Sequence, residues 1–94
     1  MKVSDYIMEF LAFHGIRHVF MVAGGGSMHL VDSLGRNKNL EYVCCLHEQA
    51  AAMAAVAYAE YTGRPGAVLV TTGPGGTNAI TGVAEAWMES APVI

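Results

Sequence analysis

Charge is scarce in this sequence. Asp, Glu, Lys and Arg make up only 14% of its ninety-four residues, against a usual share of about 25%. The five basic side chains form no cluster, and the eight acidic ones leave a net charge of −3. A nucleic-acid or anionic-membrane surface is thereby excluded. Cysteine is nearly missing. Cys44 and Cys45 are adjacent, and a bond between neighbours is badly strained, so a disulfide scaffold is excluded too. Reduced, core-facing thiols in a cytoplasmic protein are the expectation. Long apolar runs are also absent. The longest stretch free of charge, Pro65 to Ala84, contains Thr71-Thr72-Gly73-Pro74-Gly75-Gly76-Thr77-Asn78 and does not fit a membrane-spanning helix. Asp5 and Glu9 interrupt the N-terminal apolar stretch, which does not suit a signal peptide. No Cys/His spacing fits zinc, so no metal ligand is assigned. Ser27 lacks a Gly-x-Ser-x-Gly setting.

What is present is apolar surface. Hydrophobic residues are 53% of the chain, which rules out intrinsic disorder and implies that some of this surface is covered by something else. At 9.9 kDa the chain is one small domain or a piece of one, able to hide about 64% of its unfolded surface.

The pattern alternates helix and strand. Ser4 is expected to cap a helix burying Tyr6, Ile7, Phe10 and Leu11, stopped at Gly15. Val19–Val22 reads as a buried strand ended by Gly24-Gly25-Gly26. Ser27 opens a short helix ending at Gly35. Leu40–Leu46 is a second strand and His47–Thr62 a long helix, followed by the turn Gly63-Arg64-Pro65-Gly66. Ala67–Thr71 is a third strand, Thr77 or Asn78 opens a helix reaching Glu89, and Pro92–Ile94 begins another strand. Uniformly apolar strands alternating with helices indicate an α/β, doubly wound parallel sheet with helices on both faces. The end of the chain within an apolar strand leads to the expectation of a fragment of a longer enzyme.

In such a sheet ligands sit beyond the carboxyl ends of the strands. Three candidate elements fall there: Ala23–Ser27, His47-Glu48-Gln49 and Gly73–Asn78. The glycine segments read either as tight turns or as backbone that a ligand approaches closely. The second of them opens a helix, where amides can hold an anion, yet it matches neither GxGxxG nor a P-loop. Glu48 stands in front of an alanine-rich helix. It is either a first-turn carboxylate favoured by the helix dipole, or a carboxylate in an apolar wall with a raised pKa, sharing a proton with a ligand nitrogen. Trp87 and Met88 read as core or interface.

The segments Val19–Met28, His47-Glu48-Gln49-Ala50-Ala51, Gly63-Arg64-Pro65-Gly66 and Thr72–Asn78, in this order and spacing, resemble the N-terminal pyrimidine-binding domain of thiamine diphosphate-dependent enzymes, closest to the acetolactate synthase group. Oxalyl-CoA decarboxylases, glyoxylate carboligases and benzoylformate decarboxylases are similar in the same segments. The resemblance covers the whole chain and implies residues 1–94 to be the N-terminal part of a truncated pyrimidine-binding domain, the parent's other domains lying elsewhere.

It implies thiamine diphosphate as cofactor and Glu48 as the catalytic residue, hydrogen-bonded to N1′ of the aminopyrimidine so that the cofactor's C2 proton can leave. Pro74 and Asn78 match positions beside the pyrimidine, and Gly24 and Gly25 a loop over its reactive end. The parent would decarboxylate a 2-oxo acid such as pyruvate and ligate the product to a second carbonyl compound. It would be a homo-oligomer in which a partner subunit's domain binds the diphosphate and Mg²⁺, with FAD admitted. The fragment alone would be inactive. Two departures stand out: Ala23 replaces a common Pro, and Ala57-Tyr58-Ala59-Glu60 replaces Gly-Tyr-Ala-Arg, reversing a charge. The competing readings are a non-catalytic cofactor-binding or subunit-association module and, more weakly, a nucleotide-binding domain.

Overall fold

Val19 and Met21 point to one face of a strand and His18 and Phe20 to the other, and both faces are covered by helices. The computed structural model describes residues 1–94. Its elements are α1 (Val3–Phe13), β1 (His18–Met21), a 3₁₀ turn (Gly25–Ser27), α2 (Met28–Arg36), β2 (Glu41–Cys44), α3 (Glu48–Thr62), β3 (Ala67–Leu69), α4 (Pro74–Asn78) and α5 (Ile80–Met88). The sheet is parallel with order β2-β1-β3. Gly66 and Val93 add a further parallel bridge beside β3, with Ile94 N–H donating to Gly66 O at 3.0 Å. This is the expected doubly wound α/β arrangement.

On one face α1 and α2 pack over β1 through a core of Met8, Leu11, Ile16, Val19, Met21, Leu34, Leu40 and Ala67. The phase of α1 differs from expectation. Apolar residues surround this helix on most sides, and the tertiary contacts select Ser4, Met8 and Leu11 for burial, leaving Tyr6, Ile7 and Phe10 exposed. Ser4 lies inside the helix, its hydroxyl sharing a hydrogen bond with Ser33 Oγ of α2 at 2.8 Å, and Lys2 takes the cap position. Beside it Asp5 accepts from Ser33 Oγ and from Arg36 Nη2, both at 2.7 Å. Gly35 lies within α2, not at its end.

On the other face lies α3. Its first turn is capped by His47, whose Nδ1 accepts from Gln49 N–H at 3.0 Å. Gly63, at φ +69°, closes it in the left-handed conformation that glycine adopts without strain. Ala51, Ala52, Ala55, Val56 and Ala59 are buried. Small side chains let neighbours approach: a methyl on Gly66 would run into the Ala55 carbonyl, and one on Gly82 of α5 into Ala52. Tyr58 shares a hydrogen bond with His18 Nδ1 at 2.9 Å and sets its ring edge against Phe20.

Other expectations are corrected. β2 is shorter than Leu40–Leu46 and is exposed along its whole length, because strand order puts it at the edge. The thiols are accordingly not core-facing: Cys44 is exposed and Cys45 half-buried. The final helical segment starts at Pro74, whose fixed φ suits a first helical position, and breaks at Ala79 into α4 and α5. Trp87 and Met88 are 85% and 82% exposed, so neither is core within this chain. The accessible surface is 5720 Å², above the roughly 5,200 Å² expected of a compact chain of this mass. Part of the excess is apolar: Ile80, Val83 and Trp87 of α5 stand exposed. No helix is long and apolar enough to cross a membrane.

Candidate functional site

The strand order reverses at β1, since β2 lies on one side of it and β3 on the other. Segments leaving the carboxyl ends of β1 and β3 therefore diverge and open a crevice between them. The glycine turn Gly24–Ser27 follows β1, the turn Thr71–Gly73 follows β3, and α3 opens after β2. All three elements singled out in the sequence lie at this end of the sheet.

Glu48 occupies the first position of α3, half-buried. Asn78, at the end of α4, donates through Nδ2 to Glu48 Oε1 at 3.2 Å. The other carboxylate oxygen faces Gly75, where an added methyl would lie 3.4 Å from Oε2. The Glu48 pKa lies below the ordinary glutamate value. Its own backbone N–H is the largest cause, followed by the Asn78 amide, with burial opposing and the neighbouring His47 assisting. Of the two readings of Glu48, the lowered value agrees with the first-turn carboxylate and not with a raised pKa. At a helix N-terminus the free amides stabilise the anion more than partial burial penalises it.

The backbone around the carboxylate is unusual for its lack of side chains. Gly73 turns at φ +66°, a conformation that favours glycine, and leads into Pro74. Gly75 is buried, whereas Pro74 and Asn78 are exposed toward the crevice mouth. Gly24 is extended and half-buried, and its carbonyl accepts from Ser27 N–H and Ser27 Oγ, both at 3.1 Å. Gly25 has nothing within 4 Å of where a side chain would begin. The structure thus joins Glu48 and Asn78 directly and sets Pro74 on the same short helix. Gly24 approaches through Thr71, and Gly25 stands apart from the carboxylate.

Sequence reasoning missed Thr71 and carried Gly75 only as part of the Gly73–Asn78 segment. The signal was a β-branched residue placed between two glycine segments at a strand's end. Its meaning depended on knowing that the two segments are neighbours.

The arrangement offers a carboxylate with one oxygen held and the other uncrowded, beside turns whose backbone a flat ligand can approach. No group of three or more His, Cys, Asp or Glu side chains is placed to hold a metal ion. A separate open cavity of about 780 Å³, lined by Gly15, Arg17, Asn39, Arg64 and Pro65 among others, lies at the opposite end of the strands.

Curated relatives include the acetolactate synthase large subunit of Buchnera aphidicola subsp. Schizaphis graminum, 43% identical over 97% of this chain and 16% of the relative. The acetolactate synthase isozyme 2 large subunit of Escherichia coli is 42% identical over 100% of the chain and 17% of the relative. Acetolactate synthase 2, chloroplastic, of Nicotiana tabacum is 40% identical over 99% and 14%. The chain spans about one-sixth of the length of the curated relatives it matches. The family described as "Thiamine pyrophosphate enzyme, N-terminal TPP binding domain" matches residues 1–94, thiamine pyrophosphate being thiamine diphosphate, and the chain belongs to that family.

Proposed function

We propose that this chain is the N-terminal part of a thiamine diphosphate-dependent enzyme that decarboxylates a 2-oxo acid, pyruvate in the first instance, and ligates the product to a second carbonyl compound as acetolactate synthases do. The observation that carries the reading is the Glu48 carboxylate, with Oε1 held by Asn78 and Oε2 beside Gly75. When bound, thiamine diphosphate supplies a carbon centre that stores the electrons released with CO₂.

Within that enzyme Glu48 is the catalytic residue. Its carboxyl group would share one proton with the pyrimidine N1′ nitrogen, donating it to the neutral ring and accepting a hydrogen bond from N1′–H once the ring carries it. The lowered pKa keeps Glu48 ionised as an acceptor near neutral pH. Covering this half-buried group with ligand and protein removes water from it and raises its proton affinity, bringing it toward the balance that proton sharing needs. Asn78 orients the carboxylate. Pro74 would sit beside the ring of the bound cofactor, and the backbone of Gly24 and Gly25 would line the approach to its reacting centre.

The diphosphate and Mg²⁺ are assigned to a domain of a partner subunit in a cytoplasmic homo-oligomer, and any FAD likewise to another domain. The exposed Ile80, Val83 and Trp87 favour such association, since apolar patches of this kind mark interaction surfaces.

The test is hydrogen–deuterium exchange at C2 of the bound cofactor in the complete polypeptide and its Glu48→Gln variant. Proton sharing predicts exchange slowed by orders of magnitude, because the amide keeps shape and loses the titrating group. Unchanged exchange would replace this reading with a non-catalytic binding module.

A further inference from the structure

One side chain stands between the two glycine turns of the site. Thr71 leaves the end of β3 half-buried. A methyl on Gly24 would lie 2.5 Å from both Thr71 Cβ and Cγ2, and one on Gly75 would lie 2.8 Å from Cγ2. A methyl on Gly26 would lie 3.0 Å from Thr71 Oγ1. Both turns therefore close on Thr71 to separations that tolerate no side chain of their own. Threonine is branched at Cβ and stiff about χ1, so it does not fold out of the way as a longer chain would. Its methyl reaches Gly75, and Gly75 in turn sits against Glu48 Oε2.

We infer that Thr71 is a positioning residue whose Cγ2 methyl fixes the separation between the Gly24 turn and the Pro74–Asn78 helix, and with it the place of the Glu48 carboxylate. The inference deepens the reading of Glu48 just given and rests on it for its functional meaning. If Glu48 holds one end of the ligand while Gly24 and Gly25 line the other, a single distance must satisfy both. Thr71 is the group that spans it. The hydroxyl oxygen meets only the Gly24 turn, 2.8 Å from a methyl there, whereas the Cγ2 methyl meets both turns.

Two substitutions separate the methyl from the hydroxyl. Thr71→Val keeps the branched shape and loses the oxygen, whereas Thr71→Ser keeps the oxygen and loses the methyl. In the full 94-residue chain, carboxyl-carbon NMR titration of Glu48 is expected to be unchanged in Thr71→Val. In Thr71→Ser the midpoint is expected to rise, as Asn78 and the carboxylate lose register.

Gly24→Ala provides a second route. It drives Thr71 against Gly75 and should also displace the Glu48 midpoint. Gly35→Ala, in open space on α2, serves as the unaffected control. In the complete enzyme, C2 exchange should slow on the order of tenfold to a hundredfold in Thr71→Ser, as displaced catalytic groups do, and stay at the wild-type rate in Thr71→Val.

A Glu48 midpoint moved by Val but not Ser, moved by both, or moved by neither overturns the inference. If Gly24→Ala does not fold, the Val and Ser pair decides alone. The titration needs no cofactor, so it stands apart from the reading of Glu48 as catalyst. Normal exchange in Glu48→Gln defeats that reading and leaves the spacing result intact, and the reverse outcome defeats only the role of Thr71.

Discussion

Asn78 Nδ2 donates to Glu48 Oε1 at 3.2 Å, joining residues thirty positions apart in sequence and on different helices. The bond crosses the crevice between α3 and α4 and holds one oxygen of the carboxylate while leaving the other facing Gly75.

Asn78→Ala removes that donor and should raise the Glu48 pKa toward the ordinary glutamate value, though not fully, since the backbone N–H of Glu48 remains the larger cause of its depression. A group with a depressed folded pKa adds stability above its unfolded pKa and loses it as pH falls through the folded value. The variant should therefore lose a little stability at neutral pH and none in strong acid. NMR titration of Glu48 beside urea unfolding at two pH values checks both parts, and an unmoved midpoint would show the amide to be incidental.

Asp5 gives the clearest acid dependence. Hydrogen bonds from Ser33 first and then Arg36 lower its pKa to about 2, against an ordinary value near 3.9. The ionised form is favoured in the fold, so its contribution is complete above about pH 4 and disappears as pH falls toward about 2. Asp5→Asn should flatten the decline in urea midpoint across this window. Asp32, also lowered by Arg36, leaves a residual slope. A decline as steep as wild type would refute the assignment.

Glu60 shows the opposite effect. The neighbouring Glu89 carboxyl raises its pKa, with burial and the charge of Glu85 acting in the same direction. A raised carboxyl pKa means that stability falls as pH rises from the unfolded value through the folded one. The family resemblance implies Arg at this position, and the structure sets Glu60 there among carboxylates. Glu60→Arg should replace repulsion with attraction and raise Tm by roughly 1–4 °C at neutral pH, with the gain shrinking in high salt. A fall in Tm insensitive to salt would show that the surroundings do not accept the longer side chain.

The parts of this fold legible in sequence are those fixed by local chemistry. His47 and Gly63 bracket α3 because one caps an N-terminus and the other takes a left-handed C-terminal position. Strand identity followed from short apolar runs. What could not be read was set by neighbours distant in sequence. Nothing in Glu41–Cys44 says that β2 is an edge strand, so its exposure and that of Cys44 went unseen. The phase of α1 depended on Ser4 meeting Ser33. The candidate acid was visible in Glu48, yet its low pKa came from Asn78 and its own helix end, and the place of Thr71 between Gly24 and Gly75 required the strand order.

The packing of α3 leads to the last prediction, in which two effects of known size oppose each other. Gly82→Ala should favour α5 by about 1 kcal/mol, because alanine is the better helix former. The added methyl, however, would run into Ala52 Cβ and lie 3.1 Å from backbone atoms of Ala52 and Met53. Relief requires α5 or α3 to move. α3 is also held close to the segment before β3, where a methyl on Gly66 would meet the Ala55 carbonyl. Overpacking against backbone costs about 1–3 kcal/mol or more, so the steric effect wins. Gly82→Ala should lower Tm by roughly 5–10 °C. Gly35→Ala makes the same chemical change within α2, where nothing lies within 4 Å, and should stabilise by about 0.5–1 kcal/mol. The two glycines are alike in helical setting and opposite in surroundings. If both substitutions stabilise, α3 and α5 are not in the close contact described, and the alanine face of α3 needs another explanation.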